Sequence, residues 1–190
     1  MPESIHPTLR LALFGGALCL GLSSMATQSR AATQTEHPVE SFEYGYICDF
    51  IPQGRESEAP DTNAGRVRRG GGTLEFDVQG DQIPGLPGVA FGIQFVTDPA
   101  IGEQMVTMVT HHPSFGPGYL ESESWPSLVT GGTVSARYFY FEYDYELVPG
   151  PWTMEVFLGD ELIVRQDFTV FDGPAARALM NACPADGMLS

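Results

Sequence analysis

A chain of 190 residues with 24 acidic against 9 basic residues, all nine of them arginine, carries a formal charge of −15 at pH 7 and has a pI of about 4.4. So acidic a surface repels polyphosphate and anionic lipid, which excludes nucleic acid as a partner class and argues against an anionic membrane surface. The length suits one domain with a sizeable core.

Residues 1–26 read as an export signal. Arg10 supplies a short positive region, and Leu11–Leu22 is an uninterrupted apolar run of 12 residues. That is shorter than the roughly 20 needed to span a bilayer. Ser24-Met25-Ala26 offers the small residues that a signal peptidase accepts, and a second acceptable cut follows Ala31. Cys19 does not fit a lipid-modified cysteine, because Leu18 precedes it and it lies inside the apolar run. Retention of the segment as an uncleaved hydrophobic helix is the competing reading. Cleavage removes Glu3 and Arg10 together, so the net charge stays at −15. It places the protein in the periplasm or outside the cell, with no stable membrane insertion. In such an oxidising compartment the remaining cysteines, Cys48 and Cys183, most simply form one disulfide. Closing a loop of that size stabilises by at most about 5 kcal/mol.

Residues 27–41 are polar, without apolar periodicity, and read as a linker. From Phe42 the pattern alternates: Phe42, Tyr44, Tyr46, Cys48 and Phe50 share one face at strand spacing. Gln53–Gly72 reads as a long loop rich in Gly, Arg and Glu. Leu74, Phe76 and Val78 then face inward. The segment Ile83-Pro84-Gly85-Leu86-Pro87-Gly88 is barred from a central strand by its prolines. Val89, Phe91, Ile93 and Phe95 make the next strand, and Gln104–Thr110 another.

Thr133–Leu147 predicts the longest strand. Phe139, Phe141, Tyr143, Tyr145 and Leu147 hold one face, whereas Val134, Ala136 and Tyr138 have the opposite phase, which predicts a bulge near Arg137. In the final hairpin, a two-residue Gly159-Asp160 turn would put the second strand's apolar set on the wrong face. An odd loop, Gly159-Asp160-Glu161, pairs 158 with 162, 156 with 164 and 152 with 168, and is the predicted connection. Pro174–Cys183 predicts a short helix, stopped by Pro184. The fold class is therefore all-β: an immunoglobulin-like two-sheet sandwich of about seven strands over residues 42–172, with a tail at 173–190 carrying the helix.

The segment Glu146-Leu147-Val148-Pro149-Gly150-Pro151-Trp152-Thr153-Met154-Glu155-Val156, with Gly159 and the ending Asp167-Phe168-Thr169-Val170, resembles the bacterial domain of unknown function 3859 family. The start Tyr44-Gly45-Tyr46 and the stretch from Ile83-Pro84 to Phe91-Gly92-Ile93 are similar to it as well. The resemblance spans about residues 42–171. It implies an uncharacterised exported or envelope-associated domain and brings no catalytic residues with it. The Gln53–Gly72 loop is where a departure from the family is expected.

Chemistry-bearing residues are sparse. His111-His112-Pro113 invites a metal, but adjacent strand histidines face opposite ways and no HxH or HExxH spacing supports it. Glu142, Asp144 and Glu146 line one predicted strand face with Glu155 nearby, which a solvated outer face explains. Neither a GxSxG elbow nor a Cys–His setting is present, and Gly70–Gly72 lacks the Lys-Ser/Thr of a phosphate loop. Arg66, Arg68 and Arg69 form a basic spot that balances nearby acids or contacts an anionic partner. Trp152 is in phase with core positions. Trp125 falls in a predicted loop beside Tyr119 and is either buried under that loop or exposed for binding.

The reading is a non-enzymatic binding or interaction module without cofactor or metal, with Trp125, Tyr119 and His112 as candidate binding residues and an envelope protein or surface ligand as partner. The alternative is a metal-dependent binder or hydrolase that uses His111, His112 and the acidic face.

Overall fold

A computed structural model describes residues 32–70 and 72–184. The expected signal segment, residues 1–26, lies outside the described residues. No helix among the described residues is long and apolar enough to cross a membrane.

Among the described residues seven long strands build two antiparallel sheets. The first sheet runs β10 (Val134–Tyr140), β7 (Ala90–Thr97), β2 (Val39–Ile47), with the two-residue β5 (Val78–Gln79) at its far end. The second runs β9 (Ser122–Thr130), β8 (Glu103–His111), β11 (Gly150–Leu158), β12 (Glu161–Phe171). The chain thus switches sheets after its second, fourth and fifth long strands, which is the immunoglobulin-like division. Short β6 (Gln82–Pro84) lies parallel to β12, and β1 (Thr33–Thr35), inside the stretch read as a linker, extends the second sheet past β12. Helix α1 (Gly173–Leu179) closes the end, with proline in its first turn.

Alternation explains the core. Tyr46, Phe91 and Phe139 stand opposite one another across the first sheet, and Trp152 stands opposite Phe168 in the second. Phe91 meets Phe168 at 5.1 Å and Trp152 at 5.5 Å between ring centroids. These are edge-to-face contacts, the favoured geometry of aromatic pairs.

Several elements differ from the sequence expectation. The final hairpin turns on two residues, Gly159-Asp160, with Leu158 opposite Glu161 and Phe157 opposite Leu162. The apolar faces still coincide, because a bulge at Ile163 shifts the register, so Val156 meets Val164 and Trp152 meets Phe168. The extra residue that an odd loop was to supply sits in the strand instead. Gly159, at φ 62°, takes the first turn position, where a primed turn favours glycine.

The expected long strand at 133–147 ends at Tyr140, and Asp144–Glu146 forms a 3-10 turn. No register shift occurs at Arg137. The strand keeps one phase, with Ser135, Arg137 and Phe139 toward the core. The apolar set Val134, Ala136, Tyr138 and Tyr140 lies on the outer face, where Phe50 packs on Tyr138 and Tyr140 at 4.6 and 5.7 Å.

The Gln53–Gly72 loop contains a small hairpin, β3 (Arg55–Glu58) with β4 (Arg66–Arg69). Of the expected Leu74–Val78 strand only β5 pairs, although Leu74 is buried.

Cys48 and Cys183 are disulfide-bonded across a sequence separation of 135. The bond ties the end of β2 to the segment after α1. Reduction, or Cys183→Ser, is expected to lower stability by about 2–5 kcal/mol. Urea unfolding with and without reductant measures this, and an unchanged midpoint would show that the bridge constrains little.

Candidate functional site

The sandwich is open on one side. There β9 and β10 are the edges of their respective sheets, and their inward side chains face each other without a closing strand. The inward row of β9 is Glu123, Trp125, Ser127 and Val129, set by the pairing of Thr110 with Glu123 and Met108 with Trp125. Trp125 therefore lies on a strand, not in the expected loop. Arg137 of β10 reaches it from the other sheet, with the guanidinium carbon 3.8 Å from the indole centroid. A second guanidinium contact goes to the Thr110 hydroxyl, and a third to the Tyr138 carbonyl at 3.4 Å.

Arg137 is 5% exposed, and its Nε has no hydrogen-bond partner among the described residues. No carboxylate lies within 4.0 Å of it among the described ion pairs. Burial pushes it down to about 9, against the pull of Glu123 and Tyr138, so it remains a cation at neutral pH. A buried cation without a counter-ion is costly. Stacking on Trp125 offsets part of that.

The hairpin β3–β4 covers the open side and is fastened by Asn63. Its backbone N–H and side-chain amide donate to the two Glu123 oxygens, both at 3.0 Å. The Asn63 amide also donates to the Leu120 carbonyl, and its oxygen accepts from the Leu120 N–H. The Ser124 N–H donates to the Asp61 carbonyl, Arg69 to the Pro126 carbonyl, and Arg66 to the Tyr143 hydroxyl. Burial acts to raise Glu123, but hydrogen bonds from His112 and Asn63 outweigh it and hold the carboxyl below its ordinary range.

Glu146 behaves oppositely. Burial pushes it up to about 7, although the N–H groups of Tyr143 and Glu142 donate to it, and the charges of Glu123 and Glu142 raise it further.

Between hairpin, strand edges and the segments 47–53 and 72–77 lies a cleft of about 1450 Å³. Eight consecutive residues of one wall, 133–140, belong to β10 and the turn before it; Glu123 and Trp125 of β9 contribute from the opposite side, and Glu146 lines it as well. Ile51, Leu128 and Val134, three of the six large apolar side chains exposed among the described residues, line it.

The three residues singled out from the sequence do not form one exposed patch. The side chain of His112 is fully buried, stacked on Phe115 at 3.9 Å and bonded to Glu123 at 3.1 Å. Tyr119 is 39% exposed and stacks on Tyr145 at 4.8 Å, at the outer end of an aromatic row that leads through Phe115 to Trp152. Trp125 alone of the three lines the cleft.

His111 faces away from His112 and meets Glu155 at 3.1 Å, on a carboxylate also held by Arg165. Glu142 and Asp144 are exposed, whereas Glu146 is buried. Among the described residues no three His, Cys, Asp or Glu side chains come together to hold a metal ion. The residues that sequence reasoning passed over are Arg137, Glu123 and Asn63. The phase of Phe139, run backward two residues, already puts Arg137 inward.

These features define an all-β sandwich domain with a large lateral cleft floored by a buried arginine. The chain belongs to the family described as Domain of unknown function (DUF3859), whose model matches residues 36–170. None of the curated proteins compared with it matches. Among solved structures it is similar to an immunoglobulin-like protein from Pseudomonas aeruginosa, at 18% identity and a TM-score of 0.45, covering 75% of this chain and 99% of that one.

Two consequences are measurable. Between the ordinary carboxyl value of 4.5 and about 7, folded Glu146 keeps a proton that the unfolded chain has lost, so its contribution to stability falls as pH rises through that window. Melting temperatures from pH 5 to 8 should decline in the wild type and decline less in Glu146→Gln; parallel curves would refute the assignment. Glu123→Ala should loosen the hairpin selectively. Amide exchange at residues 55–69 is then expected to accelerate about tenfold or more while β7 and β11 keep their protection, since a bond to a charged group contributes roughly 1.5–3 kcal/mol.

Proposed function

We propose that this protein is an exported, non-enzymatic binding module of the cell envelope, which holds an envelope protein or surface ligand in the lateral cleft. The cleft is the observation that carries the reading. Its volume exceeds the roughly 300–1,000 Å³ of ordinary small-molecule sites, and half of the exposed large apolar side chains among the described residues gather there. Exposed apolar groups concentrated on a rigid sandwich are the usual material of recognition.

Export is supported by the n-region and apolar run of residues 1–26 and agrees with the Cys48–Cys183 bridge. The two carboxylates beside the cleft have structural work that accounts for their burial. Glu123 fastens the hairpin, and Glu146 caps the 3-10 turn.

Photo-crosslinking in the native host tests both parts. A crosslinker at Val134 or Ile51 should give a discrete adduct with an envelope component. The same group at exposed Met105, which does not line the cleft, should give none. The recovered protein should begin after Ala26 or Ala31. Equal adducts at all three positions, or a protein retaining residue 1 in the cytoplasm, would overturn the reading.

A further inference from the structure

The edges of the two sheets are unequally protected. A free strand edge is a template for pairing, and proteins blunt it with short strands, proline, charge or a covering loop. β1 is three residues long and β5 two. β9 carries Pro126, and the Asp61 carbonyl occupies its Ser124 N–H. β10 has seven residues and no proline, and among the described residues no backbone group is bonded to its outer edge; its one charge, Arg137, points inward.

The pairing of β10 with β7 is regular, and the Phe141 N–H donates to the Val89 carbonyl at its end. Antiparallel alternation then turns the N–H and C=O groups of Ser135, Arg137 and Phe139 toward β7. Those of Val134, Ala136, Tyr138 and Tyr140 point away from it, into the cleft. None of these four N–H groups has a backbone partner among the described residues. Seven strand residues offer an open ladder roughly 23 Å long, walled by apolar side chains.

We propose that this edge takes up an extended segment of another polypeptide, which adds to the sheet as a further strand inside the cleft and places a carboxylate against Arg137. The proposal rests on the reading of the cleft as the binding site and names its occupant. The free N–H groups of Val134, Ala136, Tyr138 and Tyr140 and the outward carbonyls beside them, of which the Arg137 guanidinium holds that of Tyr138, recognise a backbone, which no small acid or sugar matches along seven residues.

Arg137 sets the selectivity. Buried and with a free Nε–H, it penalises an incoming strand that is apolar opposite it and favours one that brings an acidic side chain. It also opposes a second copy of this chain. β10 is centred on residue 137, so symmetric antiparallel pairing of two β10 edges would bring two buried guanidinium groups together.

The probe is a nine-residue capped peptide of alternating threonine and valine with one central glutamate, added to the oxidised protein labelled with nitrogen-15. Amide exchange should slow at Val134, Ala136, Tyr138 and Tyr140, while Ser135, Arg137 and Phe139, already bonded to β7, change little. Replacing the peptide's glutamate by glutamine should weaken binding about tenfold, and Arg137→Met should erase that difference. Ala136→Pro removes an N–H that β7 does not use, so the fold should persist, with binding weakened about fivefold or more.

Absence of alternating protection at millimolar peptide, indifference to Ala136→Pro in a folded variant, or dimerisation through β10 by light scattering would each overturn the proposal. Cleft crosslinks to an envelope component that survive Ala136→Pro would leave the binding-module reading standing while refuting strand addition.

Discussion

The arrangement of this domain depends on Trp152. Its indole is wholly buried and touches Phe91, Phe139 and Phe141 from the opposing side, at centroid distances of 4.7–6.0 Å. On its own side it meets His112 and Phe115. One ring from β11 thus fixes the spacing of both sheets, and truncating such a side chain typically costs about 3–5 kcal/mol. The Ile163 bulge serves this contact, since it keeps Phe168 opposite Trp152 despite the tight Gly159-Asp160 turn.

The core is uneven around that centre. Toward β12 it is aliphatic and aromatic but for Gln166, whose amide bonds Thr33 and the Asp167 carbonyl; toward β9 and β10 three polar groups, Thr110, Glu123 and Arg137, stand at positions whose phase points inward. Such groups need partners, and the fold supplies one from outside the sandwich and one from within it. Asn63 comes from the hairpin to Glu123, and the Trp125 face receives Arg137. The polar end is therefore where the two sheets separate and a cleft can exist, because a fully apolar end would have closed.

Sequence patterns revealed more of the fold than of the site. Period-two alternation found β2, β7, β8 and both strands of the final hairpin, because each has one buried face. It failed where a second layer buries the outer face: Tyr138, which Phe50 covers, reads with Val134 and Ala136 as an inward set, which concealed the inward phase of Arg137. The mistaken hairpin loop has a related origin. Face matching correctly required one extra residue but could not locate it, since a bulge and a longer turn solve the same parity problem. The cleft itself was illegible, because it arises from the meeting of residues 47–53, 72–77 and 123–140, distant in sequence and joined only by topology.

The disulfide has a consequence for the order of events in the life of the chain. Cys48 and Cys183 both stand at the cleft wall, yet 135 positions separate them. During synthesis, which proceeds from the N-terminus, the end of β2 emerges long before its partner thiol. Every long strand must be delivered before that wall can be covalently fixed. The bridge therefore acts as a completion mark: a molecule that carries it has its whole sandwich, and a chain that stops short of Cys183 keeps a free thiol.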